Sequence, residues 1–334
     1  MKLASVVLLV LISCSSASAL GLSPSYKYKR LGSDLDAQTH TDPGIAMMGG
    51  GADLDEAFRW LCGKANGGDF LILRATGKDD YNKYVNKLCQ MNSVATLIIP
   101  NRKAAEEPRV ARIIRQATVI FIAGGDQSHY VDFWKGTPVQ DALNAHVTTG
   151  KPIGGSSAGL AVLGQFVYGA LDNKSDVADL TSREVLTDPY SKRVTLVRDF
   201  LKVPGLDNML TDSHFAKRDR MGRSLGFLAR IVADGWSKAP REIAIDEKSA
   251  LLMEVDGRAK VVGTGSGAYF LQLTDAPEVC QPGQPLTLRN VAVYHAPTGA
   301  TFEIRAWNGE AGEAYSISLE SGEIHSRRPA NALY

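Results

Sequence analysis

The chain has no marked excess of charge of either sign, and it is poor in cysteine and histidine. Its 334 residues carry 37 Lys and Arg against 36 Asp and Glu, a formal net charge of +1. Nucleic-acid and polyanion binders normally carry a basic excess, so this balance gives no indication of a nucleic-acid partner. The six histidines are scattered and no C-x-x-C or H-E-x-x-H spacing occurs. The sequence therefore indicates neither a metal nor another cofactor.

Long apolar runs are also missing, with one exception near the start. Lys2 precedes the apolar stretch Leu3–Ile12, and Ala17-Ser18-Ala19 has the small-x-small form of a signal-peptidase site. No later run is long enough to span a bilayer. We therefore predict a signal peptide over residues 1–19 and a secreted or periplasmic protein. Leu11-Ile12-Ser13-Cys14 also resembles a lipoprotein cleavage box, which leaves open a lipid anchor through Cys14.

Three cysteines lie beyond the predicted signal peptide: Cys62, Cys89 and Cys280. In an exported protein three cysteines allow one disulfide and leave one thiol over. Cys62 and Cys89 each end an expected helix, but the sequence leaves the pairing open.

Short apolar segments alternate with helical patterns from residue 44 onward. The segments predicted as strands are Gly44–Met48, Phe70–Leu73, Val94–Ile99 and Val119–Ile122, with Ile153 leading into a further turn. This alternation is typical of a parallel sheet with helices on both faces, which predicts an α/β fold. Sites in such sheets lie at the carboxyl ends of the strands. The glycine-rich strand ends at 49–51, 123–125 and 154–155 are therefore expected to converge on one edge.

The pattern also predicts boundaries. Polar residues 20–42 are interpreted as a linker or N-terminal arm, residues 43–306 as the main domain and residues 307–334 as a C-terminal extension. Residues 171–192 are polar and predict an excursion over the surface. Beyond residue 243 the strands follow one another like a meander, with two or three more expected over 285–325.

Gly155-Ser156-Ser157-Ala158-Gly159 fits the pattern G-x-S-x-G. In that arrangement a strand turns sharply into a helix, and the glycines make room for a strained backbone that exposes the central serine. Ser157 would then lie where free backbone N–H groups stabilise an oxyanion. The alternative is a buried serine in a glycine-rich turn.

A serine nucleophile needs a base and a third group that orients the base. His214 is the candidate base, because Asp212 precedes it and Arg218, Arg220 and Arg223 follow it. Arginines near a nucleophile suit recognition of a substrate carboxylate. The alternative for each arginine is a solvated helix face.

The orienting acid is less clear from the residues alone. The apolar segment Ile243-Ala244-Ile245 ends in Asp246-Glu247, again as expected for a sheet edge. Glu247 and Asp212 remain rivals for the contact with His214.

Four blocks of the chain, in this order, resemble the cyanophycinase family of serine peptidases, which also includes aspartyl dipeptidase. The blocks are Phe121-Ile122-Ala123-Gly124-Gly125-Asp126-Gln127, Gly155-Ser156-Ser157-Ala158-Gly159, Asp212-Ser213-His214-Phe215 with its three arginines, and Ala244-Ile245-Asp246-Glu247. The resemblance implies a three-layer αβα fold, flavodoxin-like or class I glutamine-amidotransferase-like. Its sheet would be mostly parallel, with additional C-terminal strands.

The resemblance also implies roles for individual residues. Ser157 would be the nucleophile, His214 the general base and then acid, and Glu247 the acid that orients it. Four residues would supply the oxyanion hole through backbone N–H groups: Gly124, Gly125, Asp126 and Ala158. Six would bind substrate: Gln127, Asp212, Ser213, Arg218, Arg220 and Arg223. The order Ser, His, Glu differs from the Ser, acid, His order of the α/β-hydrolases.

The expected activity is hydrolysis of cyanophycin to β-Asp-Arg dipeptides through an acyl-enzyme, by a secreted serine exopeptidase that could be a homodimer. The family usually has glutamine where this chain has Ser213, so an aspartyl or isoaspartyl dipeptidase is the alternative substrate class. A catalytically inactive binding module on the same fold is the alternative of another kind.

Overall fold

The computed structural model describes residues 25–172 and 179–334. The predicted signal peptide, Cys14 and the first residues of the predicted arm lie outside the described residues. Among the described residues, the helices are α1 (Asp55–Lys64), α2 (Asp80–Leu88), α3 (Arg102–Ala105), α4 (Pro108–Gln116), α5 (Gln127–Trp134), α6 (Pro138–Thr148), α7 (Ala158–Ala161), α8 (Ser182–Thr187) and α9 (Met221–Ala233), with a 3₁₀ turn at Pro329–Asn331.

The strands fall into two sheets. In chain order they are β1 (Lys27–Gly32), β2 (Gly44–Met48), β3 (Asp69–Arg74), β4 (Ser93–Ile98), β5 (Val119–Ile122), β6 (Ile153–Ser156), β7 (Phe166–Tyr168), β8 (Leu196–Arg198), β9 (Met209–Asp212), β10 (Arg241–Ile245), β11 (Ser249–Glu254), β12 (Arg258–Gly263), β13 (Ala268–Gln272), β14 (Leu288–Ala296), β15 (Thr301–Glu303), β16 (Asn308–Glu310), β17 (Glu313–Glu320) and β18 (Glu323–Ser326).

The first sheet has the order β1-β4-β3-β5-β6-β2-β11-β12-β15-β16. Its centre, β4-β3-β5-β6-β2, is parallel throughout. The strands are short and almost wholly buried, as expected for parallel strands covered on both faces. Antiparallel strands extend this centre at both edges. The predicted α/β fold is confirmed.

Apolar side chains alternate between the two faces of this sheet and build a separate core on each. Phe70 and Ile72 face α1 and α2, whereas Leu71 and Leu73 face α4, α5 and α6. Because strand residues alternate in direction, a continuous apolar run such as that of β3 fills both cores. The sheet therefore lies between two helical layers.

The C-terminal strands are divided between the sheets rather than added to one. β11 and β12 extend the first sheet beside β2, whereas β10 and β13 belong to the second, whose order is β18-β17-β14-β13-β10-β9-β7-β8. One face of the second sheet packs into the same core as α4 to α6, and α9 covers its other face. The alternating pattern of the sequence does not state a strand's partner, so this partition was not predicted.

The segments at the predicted boundaries take part in these sheets. Residues 27–32 of the predicted arm form β1, which pairs with β4. Residues 307–334 contribute β16, β17 and β18 and join both sheets. The excursion over 171–192 contains α8, and its residues 173–178 lie outside the described residues. Within residues 25–172 and 179–334, no helix is long and apolar enough to cross a membrane.

A disulfide joins Cys62 in α1 to Cys89, the residue that follows α2. The two cysteines are 27 residues apart in sequence, and the bond ties together the two helices on one face of the first sheet. Cys280 is a free, half-buried thiol. The pairing that the sequence left open is thereby settled.

Replacing both Cys62 and Cys89 by Ser should lower the free energy of unfolding by about 3 kcal/mol, because the bond restricts a loop of this length in the unfolded chain. The measurement is denaturant unfolding of the oxidised protein. Cys280→Ser is the control and should unfold as the native protein does. Equal stability of the double variant and the native protein would contradict the prediction.

Candidate active site

Ser157 lies at a sharp turn between β6 and α7. Its φ is 53° and its ψ is −118°, in the left-handed half of backbone space. Such a conformation costs a non-glycine residue about 1–3 kcal/mol. A side chain on Gly155 would collide with the backbone of Gly159, and one on Gly159 would collide with the carbonyl of Ile122. The two flanking glycines of the motif therefore allow the close approach of this turn to β5.

Ser157, His214 and Glu247 form one continuous chain of contacts. The Ser157 Oγ lies 2.7 Å from His214 Nε2, and His214 Nδ1 lies 2.7 Å from Glu247 Oε1. A carboxylate at Nδ1 favours the ring tautomer with its proton there, which leaves Nε2 as an acceptor for the serine hydroxyl. His214 is buried, whereas Ser157 and Glu247 are half-buried. Of the two acids that the residues left as rivals, Glu247 makes the contact.

The end of β2 holds Ser157 and His214 through its backbone. The Met48 carbonyl accepts a hydrogen bond from the Ser157 N–H at 3.1 Å, and the Gly49 carbonyl accepts one from the His214 N–H at 2.8 Å. His214 itself has a positive φ of 47°. Ser157 follows a strand of the first sheet and His214 a strand of the second. These two hydrogen bonds hold both residues at consecutive positions at the end of β2.

The same strand end supports the acid. The Gly50 carbonyl accepts a hydrogen bond from Lys248 N–H at 2.9 Å, which places the preceding Glu247 beside the ring. A Cβ on Gly50 would lie 2.6 Å from His214 Nε2, and one on Gly51 would lie 3.2 Å from the Glu247 carboxylate. We call Gly49–Gly51 the β2 turn. Its lack of side chains lets the imidazole and its acid lie directly against the backbone.

Burial and the neighbouring charges together shift the pKa of His214. Burial lowers the pKa of His214 below its ordinary value of 6.5, and the hydrogen bond to Glu247 opposes that shift. The positive charges of Arg218 and Arg220 lower it further. The imidazole is therefore neutral at neutral pH, the form that can accept a proton from serine.

Asp212 is not in contact with His214 but is enclosed by two arginines. Arg223 donates from Nε at 2.9 Å and from Nη2 at 2.6 Å to its carboxylate, and Arg220 donates from Nη1 at 3.2 Å. Burial alone would raise the pKa of Asp212, but the two guanidiniums outweigh burial and hold it below its usual range. Arg223 is only 1% exposed. The structure thus pairs Asp212 and Arg223 with each other, in the interior.

Arg218 lies nearer to the surface, between Asp179 and Glu247. Its Nη1 donates to Asp179 at 2.8 Å, and its Nε lies 3.9 Å from Glu247. Arg220 donates to the same Asp179 oxygen at 2.9 Å and to the Ser213 carbonyl at 2.8 Å. The three arginines expected to bind substrate therefore each have a carboxylate partner in the protein.

The loop after β5 lies on the other side of the nucleophile. A Cβ on Gly124 would lie 3.4 Å from the Ser157 Cβ. Asp126 caps α5, with its carboxylate accepting from the Ser128 N–H at 2.9 Å, and Gln127 begins that helix, half-buried. Within the described residues, the N–H groups of Gly124, Gly125 and Ala158 make no hydrogen bond.

Two residues at this edge were not found from the sequence. Arg74 ends β3, stacks on the Tyr81 ring and has no carboxylate within 4.0 Å among the described residues. Arg74 comes directly after a predicted parallel strand, and sites in such sheets lie at the carboxyl ends of the strands, so the sequence does contain a signal for it. Tyr334 accepts from the Met221 N–H at 2.8 Å and packs edge-on against Phe215, the residue after His214. No local pattern marks this contact.

Comparison with known proteins finds sequence similarity to one peptidase family. Residues 45–185 match the model of peptidase family S51, a range that contains Ser157 and ends before His214. The chain is 27% identical over 225 residues to a cyanophycinase of Synechococcus elongatus and 25% identical over 247 residues to one of Geminocystis herdmanii. The first match covers 64% of this chain and 62% of the relative, so the chain spans less than two thirds of that protein's length. The second covers 70% and 82%.

A peptidase structure from an acI-B1 Actinobacterium is 18% identical, with a TM-score of 0.48, over 71% of this chain and 96% of that one. The chain is thus similar in sequence to peptidase family S51 and to cyanophycinases. These similarities agree with the resemblance that the four sequence blocks carry.

Gly50→Ala should slow the reaction of Ser157 with a fluorophosphonate by about 100-fold, because a side chain there displaces the imidazole by roughly 1 Å. The measurement is the second-order rate of inactivation.

Gly299→Ala is the matched control for this substitution. Gly299 has a similar positive φ of 90°, against 96° for Gly50, but a Cβ there has nothing within 4 Å. It should carry the same backbone strain and react at the native rate. If the two variants react equally fast, the β2 turn does not position His214.

The rate of Ser157 inactivation should fall as His214 becomes protonated, with a midpoint below pH 6.5 in the native protein. Arg218→Gln should move this midpoint to higher pH, because removal of a positive charge raises the pKa of His214. The measurement is the pH profile of inactivation. Lys217→Gln removes a neighbouring exposed cation and should leave the midpoint unchanged. A midpoint that stays fixed in Arg218→Gln would contradict the assignment.

Proposed function

We propose that the protein is an exported serine exopeptidase that hydrolyses cyanophycin to β-Asp-Arg dipeptides through an acyl-enzyme. The observation that carries the proposal is the pair of 2.7 Å contacts that join Ser157 to His214 and His214 to Glu247. An alcohol, a neutral imidazole and a carboxylate in this order are the groups that acyl transfer by serine requires. The cyanophycinase matches supply the substrate class.

In the first half of the proposed reaction, His214 Nε2 takes the proton of Ser157 as the Oγ attacks the scissile carbonyl. The oxyanion would be bound by N–H groups of Ala158, the residue after Ser157, and of the Gly124–Asp126 loop, in which Gly124 lies beside Ser157. Loss of one such donor typically costs about 3–4 kcal/mol of barrier. The C–N bond then breaks as the imidazolium returns its proton to the leaving amine. Water repeats the sequence to release the acyl group.

The charges at the edge support an acidic substrate with cationic branches. Arg74 lies on β3, on the opposite side of Ser157 from β2, and no carboxylate among the described residues lies within 4.0 Å of its guanidinium. Its guanidinium is suited to a substrate carboxylate. Asp179 keeps about half of its side chain exposed and would be available to a substrate guanidinium, whereas Asp212 is enclosed by Arg223 and Arg220.

One observation favours the alternative substrate class, an aspartyl or isoaspartyl dipeptide. Ser213 takes the position at which the family usually has glutamine, and its short side chain is buried beneath Arg220. No long amide reaches from this position toward a polymer. We therefore keep the dipeptidase as the second candidate.

The test is incubation of the purified protein with insoluble cyanophycin and, separately, with α- and β-aspartyl dipeptides, followed by mass spectrometry of the products. The native protein should release β-Asp-Arg dipeptides from the polymer, and Ser157→Ala should be slower by about 10⁴-fold or more. Hydrolysis of dipeptides alone would favour the second candidate.

Fluorophosphonate labelling of Ser157 separates these outcomes from a binding module. Labelling lost in Ser157→Ala shows a reactive serine whatever the substrate. No labelling of the native protein, together with no turnover, would overturn the peptidase proposal.

A further inference from the structure

A cavity of about 570 Å³ lies between the two sheets, at the end of the molecule opposite the β2 turn. It is lined by Gly44, Ile153, Met209 and Arg241, the first residues of β2, β6, β9 and β10. These four strands run away from the cavity, and the catalytic residues follow the far ends of β6, β9 and β10. The cavity is therefore separate from the site of Ser157.

The walls of the cavity are largely apolar and come from both sheets and the segments between them. Six of the lining side chains are buried members of the core between the sheets: Ile45, Val147, Ile153, Val203, Met253 and Ile304. Val255 also lines the cavity and is 62% exposed, an unusual position for a large apolar side chain. A volume of this size and composition suits a small molecule with an apolar body.

Arg241 places a positive charge among these walls. It lies on the same face of β10 as Ile243 and Ile245, which pack into the core between the sheets. Its guanidinium lies 4.5 Å from the centre of the Trp307 ring. Among the described residues it makes no ion pair within 4.0 Å and no side-chain hydrogen bond. Burial lowers the pKa of Arg241, and no acidic group opposes this effect.

The other charged groups of the cavity have partners or lie apart from Arg241. Lys151 donates to the carbonyls of Arg115 and Ala117. Arg305 donates to the Val255 carbonyl at 3.0 Å. The Glu254 carboxylate pairs with Lys64.

Asp207 is exposed and forms no ion pair with Arg241. A partly desolvated guanidinium that stacks on an aromatic ring and lacks an acceptor is suited to an anion, and to a carboxylate in particular because of its planar fork. We propose that this cavity binds a small molecule with an apolar body and a single carboxylate, held by Arg241 against Trp307.

The proposal is tested with decanoate as the probe and decanol as its uncharged counterpart. Decanoate should change the fluorescence of Trp307 in a saturable manner, and Trp307→Phe identifies the signal. Arg241→Gln should weaken decanoate binding at least tenfold. Arg289→Gln, which removes an exposed arginine paired with Glu278, is the matched control and should bind as the native protein does.

Binding is also followed by the thermal unfolding midpoint, since a ligand that binds only the folded protein raises it. Decanoate should raise the midpoint of the native protein and of Arg289→Gln, but not that of Arg241→Gln. Absence of saturable binding, equal binding of decanol, or unchanged binding by folded Arg241→Gln would overturn the proposal. Because neither readout uses Ser157, the result is independent of the proposed peptidase activity.

Discussion

Three consecutive carbonyls at the end of β2 hold together the three residues of the candidate site, Ser157, His214 and Glu247. Met48 accepts from Ser157, Gly49 accepts from His214, and Gly50 accepts from the residue after Glu247. The three acceptors belong to one short piece of backbone, whereas the three donors come from segments far apart in sequence. Each donor segment also makes a turn with positive φ, which isolated peptides rarely adopt. The site thus depends on hydrogen bonds that a single strand end provides to strained neighbours.

The electrostatics of the site follow from a second constraint, the burial of arginines. A buried guanidinium without a carboxylate is costly, and Arg223 and Arg220 meet this requirement with Asp212. Their charge still acts at a distance, since it helps to lower the pKa of His214. The buried Arg220 therefore lowers the pKa of His214 without contacting a substrate. Arg74, which has no carboxylate within 4.0 Å among the described residues, and the exposed parts of Asp179 and Arg218 carry charge at the same edge.

The two ends of the strands carry different features. At the carboxyl ends of the parallel strands, glycine-rich turns converge on Ser157. At the amino ends, strands of both sheets line the cavity around Arg241. β9 and β10 reach both ends, because Met209 and Arg241 line the cavity while His214 and Glu247 follow the other ends of the same strands.

The sequence by itself determined the parallel core and the candidate reactive groups. Short apolar runs between helical patterns predicted the central strands, and the G-x-S-x-G turn marked Ser157 because its glycines are required locally. The four motif blocks indicated His214 and Glu247 through resemblance, whereas the residues alone left Glu247 and Asp212 as rivals. Tertiary structure decided between them, since the contact depends on how β9 and β10 lie against the β2 turn.

Tertiary structure alone also decided the pairing of Cys62 with Cys89, the partition of the C-terminal strands between two sheets, and the pairing of Arg223 with Asp212. In each case the local pattern gives the character of a segment but not its partner. A strand with one apolar face fits beside several neighbours, and a guanidinium fits any carboxylate within reach. Which partner is met depends on packing summed over the whole core, and no short stretch of sequence contains that sum.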